Sequence, residues 1–265
     1  MVDHLSGFAR DFTYRRKYAL DPFRISARKA TALERLEPFG RYRRSLAKLI
    51  SAHSPFHERS YVQQEGIDFD PRLLDVKVSG TVYLDGLWQS ENYFKDVQDV
   101  IRADLQITPS QDTANQSMAE QIKTVNSVGV HVRWFDRSTN VLVSAYNLQP
   151  AYYVRAAESI RARVTAPHFF IFSDDTDAAT KIPGLPKDSV TWVNHNRRDD
   201  NAHADLWLMS LCKHFIIANS TFSWWGAWLG SSNSGIVISP GVSSFNGTCG
   251  WGFDGLIPSR WIILP

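Results

Sequence analysis

Three polar segments carry the side chains with which this sequence could do chemistry, and each directly follows a short apolar run. They read "HVRWFD" from residue 131, "SDDTD" from residue 173 and "NSTFSWW" from residue 219. An arginine guanidinium suits bidentate contact with phosphate. Carboxylates accept hydrogen bonds from sugar hydroxyls or from the edge of a purine. These residue types together indicate a site for a phosphorylated ligand.

The first segment places two polar side chains on one face of a strand. Strict alternation in "VGVHVRWF" puts three valines on one face and His131 and Arg133 on the other. In a buried strand this pair is costly unless it meets a ligand or a counter-charge. Asp136 follows at the end of the strand.

The third segment turns from an apolar run directly into a tryptophan-rich helix. The first N–H groups of such a helix, with the positive end of its dipole, form an anion site. Ser220, Thr221 and Ser223 add hydroxyl donors there, although the stretch contains no Lys or Arg. An ordinary N-cap followed by core aromatic residues is the alternative. The same ambiguity applies to Ser173, Asp174 and Asp175, which suit either ligand contact or a helix cap.

The elements that position these segments alternate regularly from residue 127 onward. Short buried strands separated by amphipathic helices predict an α/β fold, with a parallel Rossmann-like sheet and helices on both of its faces. The predicted strands are 128–135, 168–173, 190–193, 214–218 and 236–239, and the predicted helices are 151–164, 175–182, 202–213 and 222–230.

The first hundred residues are less regular. A polar stretch without periodicity, 108–117, predicts a linker between an N-terminal domain, 1–107, and a C-terminal domain, 118–265. Within the first domain the predicted elements are a basic helix at 25–51, a strand at 78–84 and an amphipathic helix at 91–105.

Composition excludes several classes of protein. The chain of 265 residues is 43% hydrophobic and 21% charged, as in ordinary globular proteins. Its two cysteines argue against a disulfide framework and favour a reducing compartment. No apolar run approaches the ~18 residues of a membrane span, so we expect a cytoplasmic protein.

Charge is concentrated at the N-terminus. Residues 1–50 contain twelve Lys and Arg against five acidic residues, although the net charge of the chain is only +2. Such an arm can attract nucleic acid, anionic lipid or a phosphorylated ligand, and a solvated helical face is the alternative. Peripheral contact with the inner face of the membrane is therefore one expectation.

The long block "DLWLMSLCKHFIIANSTFSWWGAWL", residues 205–229, resembles the signature of the bacterial α-1,2-fucosyltransferases, glycosyltransferase family 11. "HVRWFD" resembles the family's His-x-Arg-Arg-x-Asp motif. Further similar segments occur in the family's order: "RRKYALDPFRI", "GLWQSENYF", "FIFSDD" and "LIPSRWI". The resemblance covers nearly the whole chain.

This resemblance implies a GT-B type fold with a C-terminal Rossmann domain for GDP-fucose and a smaller acceptor-side domain. It implies inverting transfer of fucose to the 2-hydroxyl of a terminal galactose, with no metal, no other cofactor and no nucleic-acid partner. Arg133 would bind the β-phosphate, His131 would lie at the same pyrophosphate, and Asp136 completes the catalytic set. The implied donor-binding residues are Ser173, Asp174, Asp175, Asp205, Asn219, Ser220, Thr221, Phe222, Ser223 and Trp224.

The sequence departs from the family pattern at two places. Trp134 replaces the second arginine of the motif, on the strand face opposite Arg133. The family's Gly-Gly-Leu-Gly-Asn-Gln loop has no counterpart, so we expect an incomplete N-terminal domain.

Three other functions fit parts of the sequence. The chain could be a GDP-sugar-binding remnant without transfer activity. It could be a metal-dependent glycosyltransferase that uses Asp175 and Asp177 as a metal motif, or a nucleic-acid-binding protein that uses the basic arm. The last class normally shows a strongly basic domain and recognisable motifs, which are missing here.

Overall fold

The structure is a computed structural model that describes residues 18–31, 39–134, 147–175, 179, 187–196, 201–230, 235–241, 252–253 and 255–264. The chain divides into two compact units, Met1–Asp104 with Phe253–Leu256 and Leu105–Gly252 with Ile257–Pro265. The domain boundaries inferred from the sequence, 1–107 and 118–265, stay a prediction.

The first unit contains little regular structure. Its helices are α1 (Gly40–Ser51) and α2 (Gln98–Asp104), and its strands are β1 (Tyr61–Gln63) and β2 (Tyr83–Asp85). Short 3-10 turns occupy Phe56–Glu58, Pro71–Asp75, Glu91–Tyr93 and Lys95–Val97. The two strands pair in parallel, and the Tyr61 hydroxyl donates to Asp85 at 2.6 Å.

Three predicted elements of this unit are wrong in extent. The strand predicted at 78–84 forms only at Tyr83–Asp85, because Gly80 adopts a positive φ of 124°. The helix predicted at 91–105 starts at residue 98, since Phe94 has a non-helical φ of −142°. The helix predicted at 25–51 begins at residue 40, and Ser26 instead donates its backbone N–H to the Asp104 carboxylate at 3.1 Å.

The second unit confirms the predicted α/β architecture. Its six-stranded sheet is parallel throughout. The strands are β3 (Asn126–Val132), β4 (Pro167–Ser173), β5 (Val190–Val193), β6 (His214–Ile216), β7 (Val237–Pro240) and β8 (Ile262–Leu264), and the helices are α3 (Thr113–Thr124), α4 (Pro150–Arg161), α5 (Ala202–Ser210) and α6 (Thr221–Gly230). The strand β8 was not predicted, and the helix predicted at 175–182 falls mostly outside the described residues.

The linker predicted at 108–117 is wrong in extent, because α3 begins inside it, at Thr113. The Asp112 side chain accepts hydrogen bonds from the N–H groups of Ala114 and Asn115 at 3.0 and 3.1 Å. This N-cap satisfies donors that the helix itself leaves unpaired. The second half of this polar run therefore forms the start of a helix.

The order of strands in the sheet is β5-β4-β3-β6-β7-β8. It is the doubly wound order, and it reverses direction between β3 and β6. One face of the sheet carries the three valines of β3, which pack in one core cluster with Tyr152, Tyr153 and Ile160 of α4. The other face lies against Met209 of α5 and Cys212, which follows that helix. Both come so close to Gly129 that a Cβ there would lie 3.2 Å from the Cys212 Sγ.

Candidate functional site

The carboxyl ends of β3 and β6 meet where the strand order reverses. Open α/β sheets bind ligands in the crevice at such a point. Arg133 follows β3 directly, and the turn at Ala218–Ser220 connects β6 to α6. The fold therefore brings together the first and third polar segments.

Arg133 forms an ion pair with Asp174, which follows the neighbouring strand β4. The Arg133 Nη1 lies 2.8 Å from the Asp174 Oδ2, and the Trp134 N–H donates to the other carboxylate oxygen at 2.8 Å. One carboxylate thus ties the ends of two strands together. The same carboxylate also pairs with the Arg133 guanidinium, for which the sequence predicts a phosphate partner.

His131 is buried beside this pair, with 5% of its surface exposed. Burial, together with the charge of Arg133, lowers the pKa of His131 to about 3, so the imidazole is neutral at physiological pH. Its Nδ1 has no hydrogen-bond partner among the described residues. The ring lies 5.0 Å from that of Phe222 in α6. His131 can therefore offer a hydrogen bond to a ligand but not a positive charge.

The start of α6 divides the predicted donor-binding residues into two groups. Ser223 is fully buried, and its hydroxyl accepts from the Ala218 N–H at 3.2 Å and lies 3.1 Å from the Ser220 carbonyl oxygen. Its hydroxyl therefore shapes the turn. The residues with accessible surface are Asn219, Ser220, Thr221 and Phe222.

Trp224 belongs to an aromatic cluster in the core and is only 4% exposed. Its ring stacks on Trp228 with the ring centroids 6.3 Å apart and the planes 6° apart. Trp225 and Trp261 lie 5.0 and 5.6 Å from it. These tryptophans anchor α6, and Gly226 allows the helix to approach Met209 of α5.

The segment after β4 uses most of its polar atoms locally. Ser173 and Asp175 exchange hydrogen bonds, with the Ser173 hydroxyl 3.0 Å from the Asp175 carbonyl oxygen and 3.1 Å from its N–H. Such a turn is typical of serine near a helix start. Of these implied donor-binding residues, Ser173 and Asp175 thus form a local turn, whereas Asp174 pairs with Arg133.

Asp205 lies in the first turn of α5 and is partly buried. It accepts a hydrogen bond from the Asn196 side-chain amide at 2.9 Å. Burial raises the pKa of Asp205 to about 6, and the bond from Asn196 opposes that rise. Within the described part of the chain no ion pair involves this carboxylate.

The sequence did not identify Asn115, Asn196 or Tyr153. Asn115 and Asn196 bond to each other near Asp205. The Tyr153 hydroxyl is buried without a hydrogen-bond partner in the described residues, and burial and the Asp174 charge raise its pKa. Asp112 could have been recognised as a helix N-cap, which would have placed Asn115 in the first turn of α3. Nothing in the sequence singles out Tyr153.

Two predicted acids lie outside the described residues. Asp136 is one, and Asp177, needed for the metal motif, is the other. Among the residues that the structure describes, no cluster of three or more His, Cys, Asp or Glu side chains could bind a metal ion.

A sequence model described as glycosyl transferase family 11 matches residues 15–246. The chain belongs to this family. Two family relatives are from Escherichia coli. An alpha-1,2-colitosyltransferase is 34% identical over 175 residues, 64% of this chain and 58% of the relative. The O-antigen biosynthesis glycosyltransferase WbnK is 35% identical over 120 residues, 44% of this chain and 39% of the relative.

The matched region of this family 11 chain therefore spans about two fifths to three fifths of those relatives. Among solved structures, POFUT1 in complex with GDP aligns over 89% of this chain and 80% of its own, with 12% identity and a TM-score of 0.30. A likeness this weak carries no argument about fold or ligand.

Proposed function

We propose that this chain transfers L-fucose, or a deoxy analogue of it, from a GDP-linked donor to a glycan hydroxyl, with galactose O2 as the acceptor atom. The observation that supports it is Arg133 beside neutral His131 and the start of α6, at the switch point of a Rossmann-like sheet. A GT-B arrangement with an acceptor-side first domain is part of the proposal.

In the proposed reaction the acceptor oxygen attacks the anomeric carbon from the side opposite the phosphate. The bond from that carbon to the β-phosphate oxygen breaks, the configuration inverts, and GDP leaves with the additional negative charge. Arg133 and the N-terminus of α6 stabilise this charge. The acceptor hydroxyl loses its proton to a base as the new bond forms, and Asp136 belongs to the proposed catalytic set together with Arg133 and His131.

Arg133 must exchange partners for this role. Its present partner Asp174 is only 20% exposed and 2.8 Å away. A phosphate would take over the guanidinium, leaving Asp174 with the Trp134 N–H. We assign His131 a neutral hydrogen bond to the pyrophosphate, because an imidazole with a pKa of about 3 is a poor base at neutral pH.

The remaining donor contacts are proposed from the resemblance and from exposure. Asn219, Ser220, Thr221 and Phe222 lie at the accessible start of α6. Ser223 and Trp224 would act through the shape and anchoring of that helix. Ser173, Asp175 and Asp205 are proposed to face the nucleoside.

The proposal leaves two candidates for the sugar of the donor, L-fucose and its 3-deoxy analogue. The matched relative is named a colitosyltransferase, and colitose is L-fucose without its 3-hydroxyl. A site that hydrogen-bonds that hydroxyl rejects the deoxy sugar by about 10⁴-fold or more, whereas one that does not bond it discriminates weakly. Competition between GDP-fucose and GDP-colitose in one transfer assay decides which kind of site this is.

The test of the function joins binding and transfer. Calorimetry with GDP-fucose and transfer to lactose should both be positive, because donor binding brings the leaving phosphate to Arg133. Binding without transfer would favour a GDP-sugar-binding remnant. Absence of both would refute the proposal.

Metal independence belongs to the same proposal, since Arg133 and a helix terminus supply the positive charge. Transfer should persist in excess EDTA. Loss of activity that manganese restores would instead favour the metal motif of Asp175 and Asp177.

We also propose that α1 attaches the protein peripherally to the cytoplasmic face of an anionic membrane. The helix carries an outward apolar stripe whose side chains are each at least 56% exposed, at Phe39, Tyr42, Leu46, Leu49 and Ile50. Residues 39–51 include four Lys or Arg and no acid. An exposed apolar stripe beside basic residues is typical of interfacial helices. No described helix is long and apolar enough to cross a membrane.

A further inference from the structure

We infer that Asn115 and Asn196 are positioning residues, a two-amide relay that fixes the orientation of the Asp205 carboxylate so that it accepts hydrogen bonds from the donor nucleotide. This inference rests on the proposed function and adds to it residues that neither sequence motif nor family match singles out.

The relay is defined by its hydrogen bonds. The Asn115 amide N–H donates to the Asn196 Oδ1 at 2.9 Å, and the Asn196 N–H donates back to the Asn115 Oδ1 at 2.7 Å. The Asn196 nitrogen also donates to the Asp205 Oδ1 at 2.9 Å. An ionised carboxylate only accepts, so Asn196 must direct its NH₂ group toward Asp205. That choice fixes the orientation of Asn115 in turn.

The relay is anchored at a helix start. The Asp112 Oδ1 accepts from the backbone N–H of Asn115 at 3.1 Å, as part of the N-cap of α3. Asn115 is only 3% exposed. A buried amide is costly unless its hydrogen bonds are made, and here both ends of the Asn115 side chain are bonded.

The three segments of the relay lie at the ligand-binding edge of the sheet. Asn196 follows the carboxyl end of β5, while Asn115 and Asp205 lie in the first turns of α3 and α5. Each of these helices leads into a parallel strand, so its N-terminus lies at the carboxyl edge. This is the edge to which Arg133 also belongs.

The electrostatic environment favours a role in binding. In the described part of the chain the Asp205 carboxylate receives a bond from a neutral amide and forms no ion pair. Its charge therefore remains available to N–H or O–H donors of a ligand, whereas an arginine partner would neutralise it. His203 lies in α5 itself, and the Nε2 of His195, after β5, lies 3.1 Å from the Asn115 Oδ1. The other titratable groups on elements around α5 are Asp112 before α3, Glu120 and Lys123 within it, His168 at the amino end of β4, and Asp174 and Asp175 after its carboxyl end. The sequence of α6 contains none.

The probe for the test is GDP-fucose, because a terminal phosphate monoester titrates near pH 6 and both phosphates of GDP-fucose are esterified. Calorimetric affinity is measured from pH 5 to 8.5. If binding needs ionised Asp205, wild-type affinity should fall about tenfold between its plateau and pH 5. Asp205→Asn should bind weakly and without this pH step.

Asn196→Ala removes the donor to the carboxylate and should move the midpoint of the pH step upward by about one unit. Near pH 8.5, where the carboxylate is ionised in both proteins, the affinity should recover only in part, because the carboxylate is no longer held in one orientation. Asn115→Ala should move the midpoint in the same direction by less, and Asn196→Ser, which retains a donor, should restore part of the shift. Asn126→Ala is the matched control, since its amide bonds to the Thr165 carbonyl at the opposite edge of the sheet.

A merely structural role predicts a different result. Asn196→Ala would then lower the affinity by the same factor at every pH, with the midpoint unchanged, and this outcome overturns the relay. Failure of wild type to bind GDP-fucose at any pH would overturn the proposed function and the relay together. If Asn196→Ala does not fold, Asn115→Ala and Asn196→Ser decide by the same shift.

Discussion

Replacing Arg133 with lysine tests the phosphate role most directly. Lysine retains the positive charge but loses the planar fork that binds phosphate through two N–H groups. Removing one donor that acts on developing charge costs about 10²–10³-fold in rate. Because lysine keeps the charge, we expect a loss of about 30- to 100-fold in kcat, or about 2 to 2.7 kcal/mol. The loss should appear in kcat more than in KM, since the charge grows in the transition state.

The structure separates this effect from a loss of stability. The ion pair of Arg133 with Asp174 is 2.8 Å long, but the arginine side chain is 41% exposed. Exposed pairs contribute about 0.2–1 kcal/mol, which corresponds to at most about 4 °C in Tm for a chain of this size. Thermal unfolding should therefore change little while transfer falls strongly.

The assay is transfer from GDP-fucose with the unfolding temperature measured on the same preparation. Arg163→Lys is the matched control, because this exposed arginine donates to the carbonyl and hydroxyl oxygens of Ser159, each at 2.7 Å, and lies just after α4, far from the proposed site in sequence. A fall in rate of less than about threefold, or about 0.7 kcal/mol, would refute the phosphate role of Arg133. So would an equal fall in the control.

Three further predictions concern stability and attachment. Burial raises the pKa of Asp205 to about 6, so its ionised form is disfavoured in the folded state, and that penalty grows from about pH 4 and is complete above pH 6. Asp205→Asn should therefore unfold at a higher temperature than wild type at pH 7.5 but not at pH 4, and the reverse order would contradict the burial of the carboxylate. Trp228→Ala should lower the free energy of unfolding by about 3–5 kcal/mol, measured with denaturant, because Trp228 is fully buried. A decrease below about 1 kcal/mol would mean that the tryptophan cluster does not anchor α6. Leu46→Glu with Leu49→Glu should abolish flotation with vesicles of phosphatidylglycerol, whereas wild type should float with these and not with phosphatidylcholine alone; equal behaviour of the two proteins would refute attachment through α1.

Hydrophobic pattern predicted the second unit well because its strands are short, buried and bounded by polar turns. The valines of β3 occupy one core cluster, and His131 lies on the other face, as alternation requires. The strands of the first unit are three residues long and depend on partners such as Tyr61 and Asp85. A strand of three residues is too short for the alternation of apolar and polar side chains to be recognised in the sequence.

The buried face of α3 explains the failure of the linker prediction. It comprises Asn115, Ala119 and Ile122, which have helical spacing but include only two apolar residues, and only Asn115 of the three lies within the predicted linker. The relay of Asn115 and Asn196 was missed for a related reason. In a sequence, a buried asparagine cannot be told from a loop asparagine, because its hydrogen-bond partners are not visible. The contact of Arg133 with Asp174 was equally inaccessible, since the two residues are 41 positions apart and meet only through the pairing of β3 with β4.

The distribution of charge gives the proposed donor one direction in the site. Among the described residues of the proposed site, the positive groups are Arg133 and the N-terminus of α6, and Asp205 forms no ion pair. Like charges about 4 Å apart repel by about 4 kcal/mol at the effective dielectric near a protein surface, so a pyrophosphate directed toward Asp205 would be strongly disfavoured. We therefore propose that the phosphates lie at Arg133 and the hydrogen-bond donors of the nucleoside toward Asp205. In this proposed orientation Asp174 and Asp205 act differently: Asp174 gives up its cation to the phosphate, whereas Asp205 keeps its charge for the nucleoside.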